Sequence, residues 1–91
     1  MSQASLPNPP FSQACENNQQ PIFEVLQRAF ARSTRVLEIG SGTGQHSVYM
    51  APRLPHLIWQ TSDLPIHHPG IHAWHAARPA DNLRDPIEFD L

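Results

Sequence analysis

Lysine is absent from the 91 residues and cysteine occurs once. Without lysine there is no phosphate-binding P-loop, which needs Gly-Lys-Ser/Thr to close on its nucleotide. The lone Cys15 excludes an internal disulfide and a cysteine-based structural zinc site, and it agrees with a reducing compartment. It sits in a polar stretch with no base beside it, a poor setting for a nucleophile. No apolar run approaches the ~18 residues that cross a bilayer. The stretch from Met1 to Phe11 carries Pro7, Pro9 and Pro10 but neither a basic nor an apolar leader region, so the expectation is cytoplasmic residence with no secretory signal. Every basic residue is an arginine (Arg28, Arg32, Arg35, Arg53, Arg78, Arg84), and these are scattered among 8 acids for a net charge of −2. No basic stripe forms, and a nucleic-acid partner is not supported.

Against these absences, 40% of the residues are apolar and only 15% charged, enough to build a folded core. The core must be small, because a chain of this size buries roughly 60 to 65% of the surface its unfolded form exposes. Residues 1–20 read as an irregular, proline-rich and polar arm. From Pro21, Ile22, Val25, Leu26, Ala29 and Phe30 recur with helical spacing, which predicts a helix from Pro21 to about Ala31. Val36 to Ile39 reads as a buried strand, followed by a helix from about Gly44 to Met50 or slightly beyond, ended or kinked by Pro52. Leu57 to Thr61 reads as a second strand, the stretch around Ile71 to Arg78 as a short third helix after Pro69-Gly70, and Pro86 to Leu91 as a third strand. Alternating helices and strands predict an α/β, Rossmann-like parallel sheet of about three strands with right-handed crossovers, spanning residues 21–91.

The most informative stretch is Gly40-Ser41-Gly42-Thr43-Gly44, which holds three of the four glycines between a predicted strand and a predicted helix. Such a loop turns sharply and lets a ligand approach the backbone at a helix N-terminus. A dinucleotide fingerprint would need glycine where Gln45 stands, which argues against a nicotinamide or flavin dinucleotide. The same glycines would also serve a plain tight turn. What favours a ligand is Asp63, nineteen residues beyond Gly44 at the end of the second predicted strand. A carboxylate there accepts hydrogen bonds from both hydroxyls of a ribose, although it also suits a simple strand-end cap.

The run from Val36 to Gly44 resembles the first motif of class I S-adenosylmethionine-dependent methyltransferases. Three stretches together are similar to the methyltransferase-like protein 26 family, itself described as a domain of unknown function: Ala14 to Asn18 with Pro21-Ile22, Gly42 to His46 running to Ala51-Pro52-Arg53-Leu54-Pro55, and Trp59 to Asp63. The likeness covers nearly the whole chain, which corresponds to the N-terminal half of that family's domain. It implies S-adenosylmethionine as cofactor, with the backbone of Gly40, Ser41, Gly42, Thr43 and Gly44 cradling the methionine part and Glu38 helping to hold its ammonium. It further implies Asp63 as the ribose acceptor, Leu64 as an adenine contact and Asp90 near the adenine amino group, where an exposed strand-end acid is the alternative. The family's Arg-Asn-Lys is replaced here by Asn17-Asn18-Gln19.

His46, on the first turn after the glycine loop, is a candidate for direct ligand contact or for a helix-turn hydrogen bond. His68, His72 and His75 have helical spacing, but Pro69-Gly70 interrupts them and no acid lies closely among them, so native metal binding is not expected. Trp59 and Trp74 suit packing between sheet and helix. No catalytic base is assigned, and the methyl acceptor is unknown. The resemblance places the first strand at a sheet centre, so the chain is expected to be a truncated product, to dimerise edge to edge, or to pair with a complementing C-terminal half. The alternative is a non-catalytic interaction module, or an inactive fragment, that retains the fold.

Overall fold

The computed structural model describes residues 8–90. Its elements are helix α1 (Gln13–Ala29), strand β1 (Arg35–Ile39), helix α2 (Gln45–Arg53), strand β2 (Ile58–Asp63), a 3-10 turn (Pro65–His67), helix α3 (His68–Ala77) and strand β3 (Leu83–Glu88). The three strands form one parallel sheet in the order β1-β2-β3. This is the α/β, Rossmann-like arrangement that the alternating pattern predicts. No helix among the described residues is long and apolar enough to cross a membrane.

The first helix begins eight residues before Pro21, a correction to the expected arm over residues 1–20. Ser12 explains the earlier start: its backbone is extended and its hydroxyl accepts from the Cys15 N–H at 3.3 Å, while Glu16 complements the positive end of the helix dipole. Pro21 lies inside the helix on its exposed side. The expected apolar stripe shifts with the new start: Phe23, Leu26 and Phe30 pack on the core, whereas Val25 is exposed. Residues 1–7 of the expected arm, and Leu91, lie outside the described residues.

Because β1, β2 and β3 run in one direction in sequential order, right-handed crossovers put both connecting helices on the same side of the sheet. The core forms there, from Met50, Ala51 and Leu54 of α2 with Leu57 and Trp59, flanked by Phe23, Leu26, Phe30, Val36, Tyr49 and Leu83. Asn82 ties the layers together, its side-chain amide donating to the carbonyls of Ala51 (2.7 Å), Leu54 (3.2 Å) and Leu57 (2.8 Å). That caps the last turn of α2, whose carbonyls lack helical partners.

The third strand starts earlier than its alternating pattern suggests, at Leu83, and runs through Pro86. The register shows how a residue without an N–H is accommodated: Gln60 faces Arg84 and Ser62 faces Ile87, so β3 carries one extra residue at Asp85-Pro86. The resulting bulge re-uses the displaced carbonyls, since Thr61 Oγ1 donates to Arg84 O at 2.9 Å and Gln60 Nε2 to Asp85 O at 2.7 Å.

Candidate functional site

The C-terminal ends of β1 and β2 meet at the glycine loop. Gly40, Gly42 and Gly44 all have positive φ (74°, 60° and 91°), a backbone that residues with a Cβ rarely adopt. A Cβ at Gly40 or Gly42 would meet nothing within 4 Å, so that side of the loop faces open space, whereas one at Gly44 would come 3.0 Å from the Ile71 backbone of α3. Gly40 and Gly42 thus leave room for a ligand, and Gly44 allows helix to pack on loop.

Ser41 locks the loop onto the sheet. Its N–H donates to Ser62 O at 2.8 Å, and its hydroxyl donates to Glu38 Oε1 at 2.9 Å while accepting from the Ser62 N–H at 3.1 Å. Thr43 Oγ1 accepts from the Gln45 N–H at 3.2 Å and so caps the start of α2. Gln45 in turn clasps the start of α1, accepting from the Ser12 N–H and donating to Ser12 O. Trp74 Nε1 donates to Pro10 O, so the segment before α1 is pinned to both α2 and α3.

Asp63 completes the loop from the neighbouring strand. Its Oδ2 accepts from the Gly42 N–H and its Oδ1 from the Leu64 N–H, both at 2.7 Å. The slight burial of Asp63 disfavours its charge, but these two N–H groups, with His67 and His68 nearby, outweigh that and hold its carboxyl below the usual range. An ionised carboxylate has about four acceptor positions, and two remain for a ligand. Leu64 is exposed directly beside it. Pro10, Gly42, Thr43, Ile66, His67 and Gly70 line an open cavity of about 340 Å³ in front of the loop.

Glu38 and His46 stand on the helix-covered side of the sheet, with Glu38 bonded to Ser41 of the loop. The Glu38 side chain turns to the helix-covered side of the sheet, where Oε1 accepts from Ser41 and from Trp59 Nε1 at 3.2 Å. With His46 it lines a second chamber, of about 220 Å³, shared with Ile22, Leu26, Val36, Met50 and Trp59. The chamber and the loop cavity have no lining residue in common. Burial pushes the Glu38 carboxyl up, against the opposing pull of Trp59, Ser41 and His46. Nδ1 of His46 is buried without a hydrogen-bond partner, so the helix-turn bond is not made at that atom. Asp90 is exposed just beyond β3, next to Phe89, whose N–H donates to the Asp63 carbonyl at 3.1 Å.

The histidines with helical spacing do share α3, because Pro69 falls at its opening, where a missing N–H costs little. His68 bonds the Asp63 carbonyl at 2.9 Å, while His72 and His75 face Asp85 at 3.7 and 3.3 Å. No group of three or more His, Cys, Asp or Glu among the described residues is placed to hold a metal ion. His75 also reaches Ser47 Oγ at 3.4 Å, giving a Ser-His-Asp sequence of contacts. Ser47 is fully buried and donates to the Gly44 carbonyl at 2.8 Å, so this is a clamp between α2, α3 and β3, not an exposed nucleophile.

Sequence reasoning missed the Ser12–Gln45 clasp, the Trp74–Pro10 bond and the chamber behind Glu38. Gln45 offered one signal, a polar residue at a position whose helical neighbours point inward.

Residues 9–91 match the model of a family described as a protein of unknown function, DUF938. The chain belongs to that family. No solved structure matches it.

Proposed function

We propose that the chain is an S-adenosylmethionine-binding protein of methyl-transfer type, with its cofactor seated on the glycine loop. The observation that carries the reading is the Asp63 carboxylate, fixed against Gly42 at the C-terminal end of the adjacent parallel strand. The free acceptor positions of Asp63 suit the two hydroxyls of a ribose, and exposed Leu64 offers an apolar surface for the base. The Thr43 N–H, which has no hydrogen-bond partner among the described residues, and the open side of Gly40 and Gly42 suit the amino-acid end. These features and the resemblance of Val36 to Gly44 support the same ligand. Bound there, the cofactor supplies a methyl group activated by its sulfonium. The chain's own part is to hold the nucleoside and fix the loop through Ser41, positioning that cuts the entropic cost of an in-line transfer. Cytoplasmic residence belongs to the same reading.

Isothermal titration of the 91-residue chain with S-adenosylhomocysteine tests it. Saturable binding is expected, weakened at least about tenfold in Asp63→Ala by loss of charged acceptors. Asp63→Asn, which keeps one acceptor for the loop, should weaken it in the same direction with the circular dichroism spectrum unchanged. Failure of the folded chain to bind, or equal binding of NADH, overturns the proposal.

A second reading, a non-catalytic interaction module, is favoured by exposed Leu37, Ile39 and Ile87 on the sheet. Under it, Asp63→Ala changes nothing but stability, and the chain associates with a second copy or with a complementing C-terminal half through the free β1 edge.

A further inference from the structure

The segment before α1 lies against the loop cavity, and nothing in the nucleoside reading uses it. Pro10 lines that cavity together with Gly42 and Thr43 of the loop and with His67 and Gly70 around the start of α3. Three contacts hold the segment in place. The Ser12 backbone exchanges two hydrogen bonds with the Gln45 side chain, and Trp74 Nε1 donates to Pro10 O. Gly70 admits the Pro10 ring so closely that a Cβ there would stand 2.8 Å from Pro10 Cγ. Apolar burial adds little, since Phe11 is 60% exposed and no residue from 8 to 12 is fully buried. A segment held by a few hydrogen bonds and little burial opens more readily than the core. Pro9 and Pro10 fix φ at two adjacent positions, which limits the conformations that compete with the closed one. Gln45 also joins the segment to the loop: Thr43 Oγ1 donates at 3.3 Å to Gln45 Oε1, the atom that accepts the Ser12 N–H.

We propose that residues 8–12 are a strap that closes on the ligand of the glycine loop, with Pro10 in contact with that ligand and Gln45, Gly70 and Trp74 as positioning residues. This role rests on the nucleoside reading and adds a wall that the loop and Asp63 do not supply. Sites for molecules of this size bury most of the ligand surface, and a loop open on one side needs a further element to do so. The coupling is reciprocal: by whatever factor the closed strap tightens the ligand, the ligand tightens the strap. A purely structural role, as an anchor for the start of α1, makes a different prediction, and Gly70 separates the two. Alanine is the better helix former within α3, whereas its methyl would push Pro10 off the helix. Gly70→Ala therefore leaves α3 at least as stable while it loosens the strap. Trp74 does not line the cavity, so any effect of Trp74→Phe on the ligand passes through Pro10.

Chymotrypsin supplies the readout. The Phe11–Ser12 bond follows an exposed aromatic residue, yet it carries the N–H that Gln45 holds, so cleavage there follows the fraction of chains with the strap open. The fragment beginning at Ser12 is followed by mass spectrometry in the 91-residue chain, with and without saturating S-adenosylhomocysteine, beside calorimetric titration of the same ligand. Bound S-adenosylhomocysteine should slow this cleavage at least about fivefold. Trp74→Phe and Gly70→Ala should each speed cleavage of the free chain and weaken S-adenosylhomocysteine by at least about fivefold, through faster dissociation. Both should retain the circular dichroism spectrum, and Gly70→Ala should keep a thermal midpoint no lower than that of the parent. Binding that leaves the cleavage rate unchanged, or variants that open faster and bind as tightly as the parent, overturns the strap and leaves the nucleoside reading standing. Absence of any binding to the folded parent chain overturns that reading, and the role of the strap with it.

Discussion

The two faces of the sheet are built from the same strands and differ in almost every physical respect. On one face Val36, Glu38, Trp59, Thr61 and Leu83 lie under helices and are buried or half-buried. On the other, Leu37 is 48%, Ile39 52% and Ile87 47% exposed. Sequence does not distinguish the faces: Val36 to Ile39 has the near-continuous apolar character of a parallel strand buried on both sides. A sequential strand order with one crossover hand is what directs both connecting helices, α2 and α3, to one side. Burial here is assigned by topology, and the bare face carries strand chemistry suited to a covering layer.

Truncating each face in turn is the most forceful way to break that contrast. Leu57 is 0% exposed at the centre of the core, so Leu57→Ala should cost about 2 to 5 kcal/mol, enough to abolish cooperative unfolding in so small a domain. Leu37→Ala, the same chemical change on the bare face, should cost less than about 0.5 kcal/mol. Urea denaturation of both variants at two protein concentrations measures the difference. A large penalty at Leu37 that grows with concentration would mean that a second copy covers this face in solution.

How much of this was legible beforehand follows the reach of each interaction. The glycine loop is readable because positive φ is a local demand, met by residue type alone at Gly40, Gly42 and Gly44. Asp63 is readable for a related reason, since parallel strands end at the same level and a carboxylate at the end of β2 must stand beside the loop. The helix start is not legible in the sequence, because Pro21 is a strong local signal whereas the Ser12 cap gains support from Gln45, thirty-three residues away. The edge of β3 shifted because the bulge at Pro86 depends on its pairing with β2 and not on its own alternation. Glu38 shows the limit most clearly. The motif identifies the residue, but which side of the sheet its carboxyl faces depends on Trp59 and Ser41.

Within the loop the contrast is sharpened by two equivalent substitutions. Gly40→Ala and Gly44→Ala both force a side chain into positive φ, which costs about 1 to 2 kcal/mol. At Gly40 the added methyl meets open space, whereas at Gly44 it comes 3.0 Å from Ile71 Cα, a backbone atom of α3 that cannot rotate away. Gly44→Ala should therefore be the costlier by a further ~1 kcal/mol or more, read from thermal midpoints. Gly40→Ala should instead be felt mainly in titration with S-adenosylhomocysteine, because its methyl projects where the ligand is proposed to lie.

The smallest effect concerns the clamp on the clad face. Burial between Ser47 and Asp85 holds the His75 imidazole below its ordinary value, with the Asp85 carboxylate opposing the shift. A base whose folded pKa is depressed favours the neutral ring in the native state. Its contribution is therefore intact above the unfolded value of 6.5 and is lost progressively as pH falls below it. The penalty is limited by Asp85, which is mostly exposed and pairs with the imidazolium once it forms. Stability should thus decline modestly as the pH falls through and below 6.5. Two variants separate the causes. His75→Asn should flatten this part of the profile while lowering stability at pH 7.5, whereas Asp85→Asn should steepen it, because the ring would then charge without a counter-ion. Urea midpoints across this pH range, below which Asp63 begins to take part, decide between them: a profile unchanged in His75→Asn would show that the α2–α3–β3 clamp does not titrate.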